Sequence, residues 1–108
     1  MTSETRYADL VEKLAGRSGV THIAEGKGFG SSGQLKVHGR IFAMLVRGAL
    51  VLKLPRARVD ELVDSGVGSR FDAGKGKPMR EWFVLPATST RRWLPLAQEA
   101  LDFVQGAG

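Results

Sequence analysis

The run Leu35 to Leu54, LKVHGRIFAMLVRGALVLKL, sharply limits what this chain can fold into. Its apolar segments are separated by His38-Gly39 and Arg47-Gly48. A residue–Gly pair between β-forming segments favours a two-residue hairpin turn, because Gly takes positive φ without a steric penalty. Two such turns in one run predict a three-stranded antiparallel meander. With both loops two residues long, Val46 falls opposite Ala49, Leu45 opposite Leu50, Met44 opposite Val51, Ala43 opposite Leu52 and Phe42 opposite Lys53.

That register assigns the faces. Ile41, Ala43, Leu45, Leu50, Leu52 and Leu54 share one side of the sheet. Leu35, Val37, Phe42, Met44, Val46 and Val51 share the other, rimmed by Arg40 and Lys53. Both sides are apolar, whereas a half-solvated antiparallel sheet alternates apolar with polar residues. Three explanations fit. A helix or a Gly-rich loop covers part of the second side, a bulge shifts the register, or that side meets a second copy or another partner. Leu35, Val37, Phe42, Met44 and Val51 are the interface candidates on the last of these.

The meander sits among helical segments. Tyr7, Leu10, Val11 and Leu14 fall on one face of a helix, with Thr2 or Ser3 to cap it, Glu4 in the first turn and Gly16 as a stop. Val20 to Ala24 is short and β-compatible. Arg56 to Asp64 reads as a second helix, with Val59, Leu62 and Val63 inward, Pro55 near its start and Gly66 past its end. Arg80 to Leu85 reads as a further strand closed by Pro86. Trp93, Leu96, Ala97, Ala100, Leu101 and Val104 form the stripe of a last helix. Pro95 requires that helix to start near Arg92 or to distort its first turn. Gly-rich connections occupy 26–33 and, with lysines, 65–78. The expected fold is α+β: one 1–108 domain of two layers, an antiparallel sheet of about five strands covered by three helices.

At 108 residues the chain can bury a core without staples, and it has no cysteine for a disulfide or thiolate site. Its N-terminal hexapeptide has neither a basic start nor an apolar stretch, and its longest apolar run is far too short for a membrane span. A cytoplasmic setting, away from membranes, is the expectation. The net charge of +5 is concentrated centrally: 27–80 holds eleven basic against four acidic residues. Such an excess either keeps a domain soluble or attracts phosphates by a salt-dependent mechanism. Lys27, Lys36, Arg40, Arg47, Lys75, Lys77 and Arg80 are the candidate phosphate contacts.

Specific chemistry is harder to find. Gly28-Phe29-Gly30-Ser31-Ser32-Gly33 spells GxGxxG, yet a strand pattern follows it where a dinucleotide loop would open a helix. Gly74-Lys75-Gly76-Lys77 lacks a Ser or Thr directly after a lysine, as a P-loop needs. His22 and His38 are the only imidazoles, and neither has metal-ligand spacing. No serine is placed with a base and an orienting acid, and Asp72 and Glu81 have no partner carboxylate assignable by spacing. Trp82 and Trp93 lie in amphipathic elements and read as core. No cofactor or metal is expected, and no catalytic residue can be named.

Several blocks together resemble a known family. They are Gly33-x-Leu35-Lys36-Val37-His38-Gly39-Arg40-Ile41-Phe42-Ala43-Met44-Leu45, Leu50-Val51-Leu52-Lys53-Leu54-Pro55 with Arg58-Val59-Asp60-Glu61-Leu62, and Gly68-x-x-Phe71-Asp72. Met79-Arg80-Glu81-Trp82 and Trp93-Leu94-x-Leu96-Ala97-x-Glu99-Ala100 complete the set. The chain resembles the TfoX/Sxy N-terminal domain family, near the YjbR/MmcQ-like group, from about Phe29 to Val104. The resemblance implies helices on a curved antiparallel sheet and no catalytic residues. It also implies a link to transcriptional regulation of DNA-uptake competence and, for the wider group, a DNA-binding label.

The expectation is therefore a non-enzymatic TfoX N-terminal-like module, regulatory and acting through protein contact, with a homodimer or a regulatory protein as partner. The alternatives are a weak, mostly non-specific nucleic-acid binder using the basic centre, and a small-ligand binder or enzyme of unassigned chemistry.

Overall fold

Both glycine pairs turn the chain where the sequence places them. His38 and Gly39 take φ of 51° and 80°, both positive as a type I′ hairpin requires, and Gly48 takes 80°. In the computed structural model, which describes residues 3–23, 33–46, 48–71, 79–86 and 93–107, these turns join three strands: β2 (Gln34–Val37), β3 (Arg40–Val46) and β4 (Ala49–Lys53). The predicted pairs Ala43–Leu52, Met44–Val51, Leu45–Leu50 and Val46–Ala49 all form. The ladder stops at Ala43–Leu52, so the expected Phe42–Lys53 pair is not part of it.

Three more strands widen the meander into a six-stranded antiparallel sheet of order β1-β2-β3-β4-β6-β5. β1 (Val20–Ile23) pairs with β2, and β6 (Met79–Leu85) adds beside β4. β5 (Ser69–Phe71) forms the far edge, inside what the sequence reads as a connection over 65–78. Its three residues, Ser-Arg-Phe, are too few to carry a period. What positions it is a close backbone approach: a Cβ on Gly68 would lie 2.1 Å from the carbonyl oxygen of Val84.

All three helices lie on one side of the sheet. In α1 (Ser3–Leu14), Tyr7, Leu10 and Leu14 are buried and Val11 partly so. α2 (Arg56–Asp64) has the predicted bounds, with Pro55 at its N-cap. It ends as Gly66 takes φ 76°, with the Gly66 amide donating to the Val63 carbonyl and the Val67 amide to that of Leu62. That is a Schellman closure, which satisfies carbonyls the helix end would otherwise leave open. α3 (Trp93–Ala107) buries its whole predicted stripe. Pro95 is its third residue, in the first turn, where a missing N–H costs no helical hydrogen bond. Arg58 of α2 forks onto Glu99 of α3, Nε to Oε1 at 2.9 Å and Nη2 to Oε2 at 3.1 Å, and Arg70 of β5 pairs with Asp60 of α2.

The face assignment needs correcting. Leu35 pairs with Ala43, but Lys36 pairs with Ile41, so Phe42 is an extra residue on β3. This bulge turns Phe42 and Ala43 to the same side, and both are fully buried beneath the helices with Leu35 and Val37. Leu35, Val37 and Phe42 are thus core residues, not residues of the second face. Ile41 moves the other way, joining Met44 and Val51 with Phe71 and Trp82 in a smaller cluster on the outer side. Of the explanations for the two apolar sides, the bulge is realised.

A direct consequence is measurable. Phe42→Ala should cost about 3–5 kcal/mol in urea unfolding, and the half-exposed Ile41→Ala no more than about 1.5 kcal/mol. Comparable losses at both positions would place the extra residue elsewhere.

Candidate cationic cleft

Because β3 and β4 stop pairing at Ala43–Leu52, the sheet opens at that end. Lys53 and Leu54 stay with β6 instead: Lys53 faces Trp82 in the ladder, and the Leu54 amide donates to the Glu81 carbonyl at 2.9 Å. The gap is a cleft of about 560 Å³, lined by Lys36, Gly39, Arg40, Ile41, Lys53, Glu81, Trp82, Phe103 and Val104. Elements distant in sequence supply it: the β2–β3 hairpin, the end of β4, β6 and the last turns of α3.

Its charge is uneven. Lys36, Arg40 and Lys53 converge on it, and none has a carboxylate partner among the described residues. Asp60, Glu61 and Glu99 are engaged by Arg58 and Arg70 elsewhere. Lys53 Nζ sits 5.3 Å from the centre of the Trp82 ring, a cation–π contact that fixes the ammonium at the cleft wall. Among the described residues Glu81 is the one acidic lining residue, so the lining charges sum to +2. Ile41, Phe103 and Val104 give an apolar wall.

Of the candidate phosphate contacts, Lys36 and Arg40 meet in this cleft. Lys27, Arg47, Lys75 and Lys77 lie outside the described residues, as does the side chain of Arg80. The Gly-rich loop 26–33 is outside them too, apart from Gly33. Lys53, read from the sequence only as a rim residue, and Phe103, not singled out at all, are the additions. The predicted register rims one face with Arg40 and Lys53, but its Phe42–Lys53 pair does not form; nothing local marks the second. Met44 and Val51, the two interface candidates on the outer side, are fully buried. Beside them Val46, Ala49 and Val84, with Phe71, surround an open depression of about 290 Å³ at the opposite end of the sheet.

A third feature lies between α1 and α3. The Tyr7 hydroxyl and Trp93 Nε1 are buried with no hydrogen-bond partner. The Tyr7 ring is 6.3 Å from that of His22, a Cβ on Gly33 would come within 3.0 Å of its Cε2, and Arg6 lies 4.2 Å over the Trp93 ring. Burial disfavours the phenolate and raises the Tyr7 pKa. Among the described residues no group of three or more His, Asp or Glu is placed to hold a metal. None of the described helices is long and apolar enough to cross a membrane.

Comparison with protein-family models, with curated proteins and with solved structures finds no match in any of the three.

Tyr7 is the chain's only tyrosine, so its behaviour can be isolated. Its folded-state pKa lies above the unfolded value of 10.0, so stability is complete below pH 10 and falls above it. The fall approaches 1.4 kcal/mol per pH unit (roughly one proton's worth). Tyr7→Phe should abolish that loss in urea unfolding and, by deleting an unpartnered buried hydroxyl, stabilise the fold at neutral pH by about 1 kcal/mol. Destabilisation at neutral pH would mean that the hydroxyl is hydrogen-bonded.

Proposed function

We propose that this chain is a non-enzymatic, cytoplasmic binding module of the TfoX N-terminal-like kind, regulatory in role and acting through protein contact. The supporting observation is the outer side of the sheet. Among the described residues every buried helix side chain belongs to the core on the other side, and none joins Met44, Val51, Phe71 and Trp82. Val46, Ala49 and Val84 remain partly exposed around their depression. Ser69 and Arg70 also line that depression, and a partly open sheet face of apolar residues edged by polar ones is the kind of surface that meets another protein. Pairing with a second copy is the simplest form, because a two-fold contact lets one patch serve both partners.

Light scattering tests this. The apparent mass should rise from 11.7 kDa toward twice that value as concentration increases. Val84→Glu should hold the chain at the monomer mass while leaving its thermal transition intact. A monomer mass up to about 1 mM, or association unchanged in Val84→Glu, overturns the self-association reading.

One observation favours a second reading, weak and mostly non-specific nucleic-acid binding: Lys36 and Arg40 share one cleft with Lys53. Binding of a short oligonucleotide should then fall steeply between about 50 and 200 mM salt. No binding at the lower salt rules it out.

A further inference from the structure

We propose that the cleft at the parted ends of β3 and β4 is a binding site for a small organic anion, a carboxylate or phosphate head on an apolar body. This goes beyond the protein-contact reading, which concerns the other end of the sheet.

The volume fits such a ligand. About 560 Å³ falls within the range of small-molecule pockets and is too confined for a folded partner. The charge fits as well. Lys36, Arg40 and Lys53 against Glu81 leave a net +2, which suits a mono- or dianion. Among the described residues no carboxylate pairs with these cations. An anionic head therefore gains charge-assisted hydrogen bonds without first breaking an ion pair among the described residues.

The walls specify the remainder of the ligand. Ile41 and Phe103 are half-buried and Val104 is buried at the cleft, so an aliphatic or aromatic body would complete the burial of Ile41 and Phe103. Trp82 is only 8% exposed and is already flanked by Lys53, which leaves it a wall and not a free platform for stacked bases. That argues for a compact ligand over a nucleic-acid strand. The site is also built on regular elements: a type I′ hairpin, two strand ends and a helix. Each cation therefore stands on a backbone whose course is fixed by packing.

Octanoate is the probe, with octylammonium as its charge-reversed counterpart and a single-stranded oligothymidine as competitor. Tryptophan emission reports the site in a Trp93→Phe background, where Trp82 is the remaining indole. Octanoate should shift that emission saturably, and octylammonium should not. Arg40→Gln and Lys53→Gln should each weaken octanoate about tenfold, whereas Glu81→Gln should strengthen it about threefold. The opposite sign at Glu81 cannot come from a loss of folding. Equal binding of octylammonium, unchanged affinity in Lys53→Gln, or weaker binding in Glu81→Gln overturns the proposal. Displacement of octanoate by the oligothymidine at lower concentration overturns it too, in favour of a nucleic-acid strand.

Discussion

One additional residue on β3 governs the arrangement of everything around it. Regular alternation would put Phe42 on the side opposite Ala43, outside the helical layer. The bulge between the Leu35–Ala43 and Lys36–Ile41 pairs turns both inward, where both are fully buried. A phenyl ring buried in place of an exposed one is worth about 2–3 kcal/mol, more than a disturbed ladder pair costs. The same extra residue shifts Ile41 outward and bends β3 as bulges do. β3 and β4 cease to pair just there, so the cleft and the core share an origin.

The helical side is held by a different balance. Arg58 and Arg70 link α2 to α3 and to β5, but Glu99 and Asp60 are each more than a third exposed. Water and salt screen such pairs, so they orient the elements more than they stabilise them. The energy comes from Val59, Leu62, Phe83 and the α3 stripe packing together, and the forked Arg58–Glu99 contact selects the angle at which they meet. Those carboxylates are taken up there, and among the described residues none pairs with the cleft cations. Core geometry and surface electrostatics are therefore coupled through the choice of ion pairs.

Legibility from the sequence followed the range of the physics. His38-Gly39 and Arg47-Gly48 act over two residues, and their turns and the four β3–β4 pairs from Val46–Ala49 to Ala43–Leu52 were readable outright. So were the bounds of α2, set by Pro55 and Gly66, and the α3 stripe, set by helical spacing. Phe42-Ala43 was not, because two adjacent apolar residues are compatible with either alternation or a bulge, and only the helices beneath decide. β5 was hidden because Ser69-Arg70-Phe71 has no period, and its place depends on Gly68 lying against Val84. The cleft was half visible. Lys36 and Arg40 were two of seven candidate phosphate contacts in the basic centre, but Phe103 and Val104 lie more than sixty positions further on, and only the docking of α3 brings them in.

The short flanking strands limit how such chains can come together. Among the described residues β1 spans four positions and β5 three, and each offers few backbone groups to an incoming strand. A long, flat margin would invite unlimited strand-by-strand growth. The described parts of both margins are short, and the register irregularity at Arg70–Phe71 disturbs the second one further. Contact through a sheet face closes on itself after two copies, while contact through a margin propagates. Margins of that kind favour finite contacts over fibres.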